Sequence, residues 1–241
     1  MVPTDRKGML ETDVVFDGDL EKFYSEDTVL IEGLPGVGLV AKVAVSYFLT
    51  KLDAKRVCRL YSPYFPSVSF IRDGRLMFSF GGLYLVKSPR PLLLLYGNAQ
   101  PTTSYGQYEF CEKVLDLACK FGCRFVVTLG GYGKDVVSDK RAVYCSSTDE
   151  KALERWIKKI GGLRYSGQII GAAGLLITLA SMRKMSGLSI LIETNGIAPD
   201  FFGAMRAIES INKLLDINVR PKDIEELSSS YALAELEYER M

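Results

Sequence analysis

The sequence predicts an α/β fold with a mixed, mostly parallel sheet, and three observations carry that expectation. Strand and helix signals alternate from end to end with no proline-rich or low-complexity linker, which favours one α/β domain over residues 1–241. Glycine-rich turns follow three apolar strands, at Gly33 to Gly38, Gly97 to Pro101 and Gly130 to Gly133. The run Leu92-Leu-Leu-Leu-Tyr96 is continuously apolar, as befits a strand covered on both faces.

The first strand, Thr28-Val-Leu-Ile-Glu-Gly33, runs through a glycine turn into a helix over Leu39 to Lys51. A strand ending near Tyr61 follows, and then a hairpin. Its arms, Ser67 to Ile71 and Leu76 to Leu83, flank Arg72-Asp-Gly-Arg75, where Asp-Gly supplies the positive φ of a tight turn. This antiparallel insertion makes the sheet mixed. After the Leu92 to Tyr96 strand, a helix over Ser104 to Lys120 carries apolar Phe110, Val114, Leu117 and Ala118 and delivers the chain to the strand Arg124 to Leu129. A short strand, Ala142 to Ser146, precedes a helix over Asp149 to Lys159, whose Trp156 and Ile157 read as core anchors. Gly167 to Gly174 opens a helix with small residues that permit close backbone approach. Leu188 to Glu193 is a buried strand ending at Thr194-Asn-Gly196, and Phe201 to Leu215 closes the body as a helix.

Composition narrows the function. Thirty basic residues against 29 acidic leave a formal charge of +1, so no general field draws in nucleic acid or an anionic membrane, and neither partner is expected. The longest apolar stretch, Ile169 to Ala180, is too short to span a bilayer, and Met1 to Gly8 has no signal-peptide core, which places the chain in the cytoplasm. Five cysteines without paired C-x-x-C knuckles read as free thiols, with Cys111, Cys119 and Cys123 buried rather than holding zinc. The chain contains no histidine, which removes Ser-His-Asp and Cys-His catalysis and most transition-metal sites. No cofactor or metal is expected, and a binding protein is favoured over an enzyme.

The motif Gly36-x-Gly38-x-x-Ala41 fits a phosphate cradle, in which backbone N–H groups and a helix N-terminus meet a pyrophosphate. The strand Val57 to Pro63 lacks the acid that would hold ribose hydroxyls, and no Gly-Lys-Ser/Thr ending follows; a tight turn with close helix-on-strand packing is favoured. If the three glycine turns gather at one sheet edge, they form a crevice. Gly33, Gly36, Gly38, Gly130 and Gly131 would supply its backbone, with Gln100, Tyr105, Tyr132, Lys134, Glu193 and Asn195 as polar lining and Glu193 as the acid-base candidate. The alternative is ordinary turns with satisfied surface polar groups.

From Ile224, apolar residues recur at Leu227, Tyr231, Ala234, Tyr238 and Met241, a seam of threes and fours on an amphipathic C-terminal helix assigned to residues 222–241. That seam packs on its own body, on a second copy or on another protein, the first being slightly favoured.

With Thr28-Val-Leu-Ile-Glu-Gly-Leu-Pro-Gly-Val-Gly38, Tyr96-Gly-Asn-Ala-Gln-Pro101, Thr128-Leu-Gly-Gly-Tyr-Gly133 and Gly171-Ala-Ala-Gly-Leu175 in this order, and Glu193-Thr-Asn-Gly196 after the last strand, the chain resembles the archaeal branch of the proteasome assembly chaperone family. The resemblance implies a three-layer α/β/α sandwich akin to nucleoside phosphorylases and no established catalysis. It also implies self-association as a trimer or tetramer and ATP-independent binding to α-type subunits of the proteasome core. Several members end in a hydrophobic-tyrosine-any tripeptide that docks between α-subunits, whereas this chain ends Leu236-Glu-Tyr-Glu-Arg-Met241. Tyr238 is not penultimate, so Tyr231, Leu236, Tyr238 and Met241 are instead expected to form an apolar contact surface. The alternative function is a nucleoside- or nucleotide-binding enzyme or sensor using the crevice.

Overall fold

The computed structural model describes residues 10–18 and 23–238. In chain order the elements are β1 (Asp13–Phe16), β2 (Val29–Gly33), a single 3₁₀ turn (Val37–Leu39), α1 (Val40–Lys51), β3 (Lys55–Tyr61), β4 (Ser69–Arg72), β5 (Arg75–Phe78), β6 (Gly81–Val86) and β7 (Leu92–Gly97). There follow α2 (Ser104–Lys120), β8 (Phe125–Gly133), β9 (Val143–Ser147), α3 (Glu150–Ile160), β10 (Leu163–Arg164), α4 (Ala172–Met182), β11 (Ser186–Thr194), α5 (Phe201–Leu215) and α6 (Ile224–Tyr238).

Among the described residues, nine strands form one sheet in the order β1-β3-β6-β7-β2-β8-β11-β9-β10. Its centre, β7-β2-β8-β11, is parallel. The flanking pairs β1-β3, β3-β6, β6-β7 and β11-β9 are antiparallel, and the short β10 runs parallel to β9. Strands β2 and β7 are buried at every position, because helices cover both faces. On one face Val29, Ile31, Leu92 and Leu94 pack with α1, α3, α5 and α6. On the other, Leu30, Leu93, Leu95 and Val126 pack with α2 and α4. This is the three-layer α/β/α arrangement the resemblance implied.

Side-chain caps start four helices, Asp223 accepting from the Glu226 N–H at the start of α6. Thr103 accepts from the Gly106 N–H, Asp149 from Ala152 and Asp200 from Gly203, each satisfying a first-turn donor. Gly161 ends α3 at φ +77°, the left-handed conformation that favours glycine.

The hairpin differs from expectation. Its second arm breaks at Ser79-Phe80: β4 and β5 form a separate two-stranded sheet, and the main sheet resumes at β6. Gly130 to Gly133 is not a turn but the last part of β8, paired with Leu191 to Thr194 of β11. Strand β1, four residues with no polar alternation, and the two-residue β10 left no sequence signal. The cysteines are free, and Cys111 and Cys123 are buried as read, but Cys119 is exposed. The C-terminal helix runs over Ile224–Tyr238; Met241 lies outside the described residues. No helix among the described residues is long and apolar enough to cross a membrane.

Candidate functional site

The carboxyl ends of the parallel strands β2, β7, β8 and β11 share one edge of the sheet, so the glycine segments do assemble there. Their glycines admit close backbone packing. A Cβ at Gly33 would lie 2.4 Å from the Val45 side chain, and one at Gly131 would lie 2.2 Å from the Val37 carbonyl oxygen. Gly38, at φ +64°, leaves room for Thr194 Oγ1, to which a Cβ would come within 2.7 Å. Thr194 Oγ1 donates to Asp200 Oδ2 at 2.6 Å, and the Asp200 N–H donates to the Gly38 carbonyl at 2.8 Å. The 3₁₀ turn is thereby laid directly on β8 and β11. Gly36 differs, with nothing within 4 Å of a would-be Cβ. Gly130 and Gly131 face Leu191 and Ile192 in the β8-β11 ladder.

Gln100 joins three elements. Its Nε2 donates to the Pro35 carbonyl at 2.6 Å, while Oε1 accepts from the Ala172 N–H at 3.0 Å, at the start of α4, and from Gln107 of α2. Asn195 is exposed, and its Oδ1 accepts from the Ile197 N–H. A groove of about 710 Å³ opens between the first turns of α2 and α4 and strand β9, lined by Ser104, Gln107, Tyr108, Ser147 and Ile170 among others. None of the expected crevice residues is in that lining.

Glu193 is buried at the end of β11 and surrounded by donors. Oε2 accepts from the Ser138 N–H at 3.0 Å, the Ser138 hydroxyl and the Ala142 N–H at 3.1 Å, while Lys134 Nζ sits 3.0 Å from Oε1. The Ser138 hydroxyl leads in holding its carboxyl down to about 2, with the backbone donors and Lys134 helping against burial. These donors occupy the lone-pair capacity of a carboxylate, so Glu193 pins the 134–142 loop to the sheet. Lys134, raised first by its bond to the Tyr144 hydroxyl and then by Glu193, lies over the Tyr132 and Tyr144 rings.

Sequence reading missed a second buried acid. Glu32 of β2 lies opposite Thr128 of β8, which lies opposite Ser189 of β11, forming a polar row across the centre of the sheet. Glu32 Oε1 accepts from the Leu34 N–H at 2.8 Å, while Glu32 Oε2, Thr128 Oγ1 and Ser189 Oγ are buried without partners. Burial pushes the Glu32 carboxyl up to about 8. The available signal was an acid inside an otherwise apolar strand.

The C-terminal helix divides its expected contact residues. Tyr238 points inward, 4% exposed, with its ring stacked on Phe80 at 4.2 Å and edge-on to Tyr96 at 5.8 Å. Its hydroxyl donates to the Phe80 carbonyl and accepts from the N–H groups of Phe80 at 3.0 Å and Asn98 at 3.4 Å. Tyr231 is half-buried with its ring edge on Phe201, whereas Leu236 is exposed. The three do not share a face. Glu235 takes a bond from the Tyr96 hydroxyl and another, at 2.7 Å, from the buried Lys42, which also donates to Asn98 Oδ1 at 2.5 Å. Near the other end of α6, Lys51 pairs with Glu226 at 2.6 Å. The outer face presents Leu236 beside Leu233, a residue outside the apolar seam, with exposed Glu225 and Glu237 on the same helix.

The molecule is thus a three-layer sandwich whose glycine-rich sheet edge is packed with its own backbone and whose C-terminal helix is bound to the body. The pattern of the PAC2 family matches residues 30–236, and the chain belongs to that family. It is 30% identical to an uncharacterized protein of Methanocaldococcus jannaschii over 203 residues, covering 83% of this chain and 78% of that one. The crystal structure of Pyrococcus furiosus PbaB, described as an archaeal proteasome activator, is 32% identical, with a TM-score of 0.83 over 95% of this chain and 97% of that chain. Pyrococcus furiosus PbaA, described as an archaeal homolog of proteasome-assembly chaperone, matches in fold at 24% identity, with a TM-score of 0.74 over 96% and 91% of the two chains.

Proposed function

We propose that this protein is a cytoplasmic, ATP-independent chaperone or scaffold of proteasome assembly that binds α-type core subunits, and that it works as a homo-oligomer, a trimer or tetramer. The observation that carries the proposal is the end-to-end similarity to PbaB, in sequence as well as fold. Membership of the PAC2 family supports it, and so does the close packing of the glycine-rich sheet edge. Within α6, Leu233 and Leu236 are the contact residues we assign to the partner, since Tyr238 is occupied inside the body. The test is binding to immobilised proteasome α-subunits without ATP. Wild-type protein binds, and the double variant Leu233→Glu, Leu236→Glu loses at least tenfold in affinity while keeping its melting temperature. Equal binding by both would remove the helix face from the proposal, and no binding by wild type would remove the partner.

The groove of about 710 Å³ favours a second reading, a sensor of a nucleoside or nucleotide. Such a ligand would bind the native state and raise the melting temperature as its concentration climbs above Kd. A panel of nucleosides and nucleotides that leaves the melting temperature unmoved would dismiss it.

A further inference from the structure

A second, smaller pocket of about 310 Å³ lies between the 139–141 loop, the outer face of α5 and the turn at Arg220-Pro221. Its size is at the lower end of small-ligand sites. Four of its lining residues are cationic, Lys140, Arg141, Arg206 and Arg220, against two acids, Asp139 and Glu209. Glu209 is already engaged by Arg206 Nη1 at 2.6 Å and by Lys213 at 2.7 Å. Lys140 and Arg220 are exposed at the rim.

The two inner arginines are incompletely satisfied. Arg141 reaches Asp200 with Nη2 at 3.3 Å, and its side chain is only 13% exposed, but its Nη1 is buried with no partner. Arg206 uses Nη1 on Glu209, while its Nε is buried with no partner. A guanidinium N–H shut away from water without an acceptor is costly. Both arginines line the same pocket, and a group offering two or more oxygens is what the planar guanidinium fork is shaped to bind. Arg141 is also held at φ +50°, in the left-handed region that a bulky residue adopts only when its surroundings impose it. Phe202, 61% exposed, also lines the opening, which gives an apolar surface to the body of a ligand whose anionic end meets the arginines.

We propose that this pocket binds an oxyanion, the phosphate or carboxylate group of a small molecule, through Arg141 and Arg206, with Arg220 and Lys140 adding charge at the mouth. The site is separate from the helix face assigned to the protein partner, and its test needs no proteasome subunit. Inorganic phosphate and acetate are titrated separately into the full chain at constant ionic strength, followed by calorimetry and by the arginine Nε–H resonances in a two-dimensional NMR spectrum. The Arg206 Nε–H resonance shifts saturably with at least one of the two anions, and which anion acts tells phosphate from carboxylate. Arg206→Gln lowers the affinity at least tenfold. Arg220→Ala, at an exposed rim position that the fold does not depend on, lowers it severalfold and keeps the test intact should the first variant unfold. Absence of a saturable shift with either anion, or an affinity unchanged in both variants, overturns the proposal.

Discussion

Gly131 and Gly36 look alike in the sequence, as members of glycine-rich segments beside apolar strands, yet the structure assigns them opposite tolerances. A methyl group at Gly131 would meet the Val37 carbonyl, a backbone atom with no rotamer to escape into, whereas one at Gly36 meets nothing within 4 Å, at φ −148°. Gly131→Ala should therefore cost about 1–3 kcal/mol, the usual penalty of overpacking, and Gly36→Ala should stay within about 0.5 kcal/mol; chemical denaturation of the two variants checks both. The buried acids give opposite pH dependences. Glu32 is raised from 4.5 to about 8, so its contribution to stability is present below pH 4.5 and lost as pH rises towards 8. Glu193 is lowered from 4.5 to about 2, so its contribution is present above pH 4.5 and lost as pH falls towards 2. Glu32→Gln should melt above wild type at pH 8 or higher, the gap closing towards pH 5. Glu193→Gln should melt below wild type at neutral pH, the gap closing in acid. Thermal melts across pH settle both signs. The favoured sequence reading, glycines for close packing, needed only the spacing of Gly33 to Gly38. The Gly131–Val37 contact joins residues far apart in the chain, which no local pattern reports.

At the scale of elements, the helices and central strands were legible because periodicity and apolar runs are local properties: Leu92 to Tyr96 and Ser104 to Lys120 reappear as β7 and α2. The hairpin was half legible. Asp73-Gly74 does turn the chain, and the left-handed φ values of both residues show it. The break at Ser79-Phe80 leaves no local signal because its cause is tertiary, a clasp in which the Tyr238 hydroxyl bonds the Phe80 backbone. The same clasp explains why the seam of α6 faces inward. Leu227, at 0% exposure, should cost about 2–5 kcal/mol when cut to alanine, while Leu233→Glu on the outer face should be nearly silent in a denaturant melt. Tyr238→Phe keeps the ring stack but leaves the buried Phe80 N–H without its acceptor, a loss of about 1–3 kcal/mol that the same measurement reads. Equal effects at Leu227 and Leu233 would mean that α6 does not dock as described.

For the whole molecule, the absence of histidine and a nearly neutral charge balance are features of the sequence alone, and they favour binding over general acid-base chemistry. The ordered glycine segments carried the resemblance to the archaeal branch of the proteasome assembly chaperone family, and the chain belongs to the PAC2 family. The sequence expectation grouped Tyr231, Leu236 and Tyr238 in one apolar contact surface, but Tyr231 and Tyr238 lie on the seam that packs on the body while Leu236 lies off it and is exposed. The most direct test of the central claim is size-exclusion chromatography with light scattering on the protein mixed with proteasome α-subunits from the same cell. The account predicts a co-eluting complex whose mass exceeds that of either component, and its loss in the Leu233→Glu, Leu236→Glu variant, whose own oligomer and melting temperature are unchanged. A wild-type protein that elutes apart from the α-subunits under every mixing condition would contradict it.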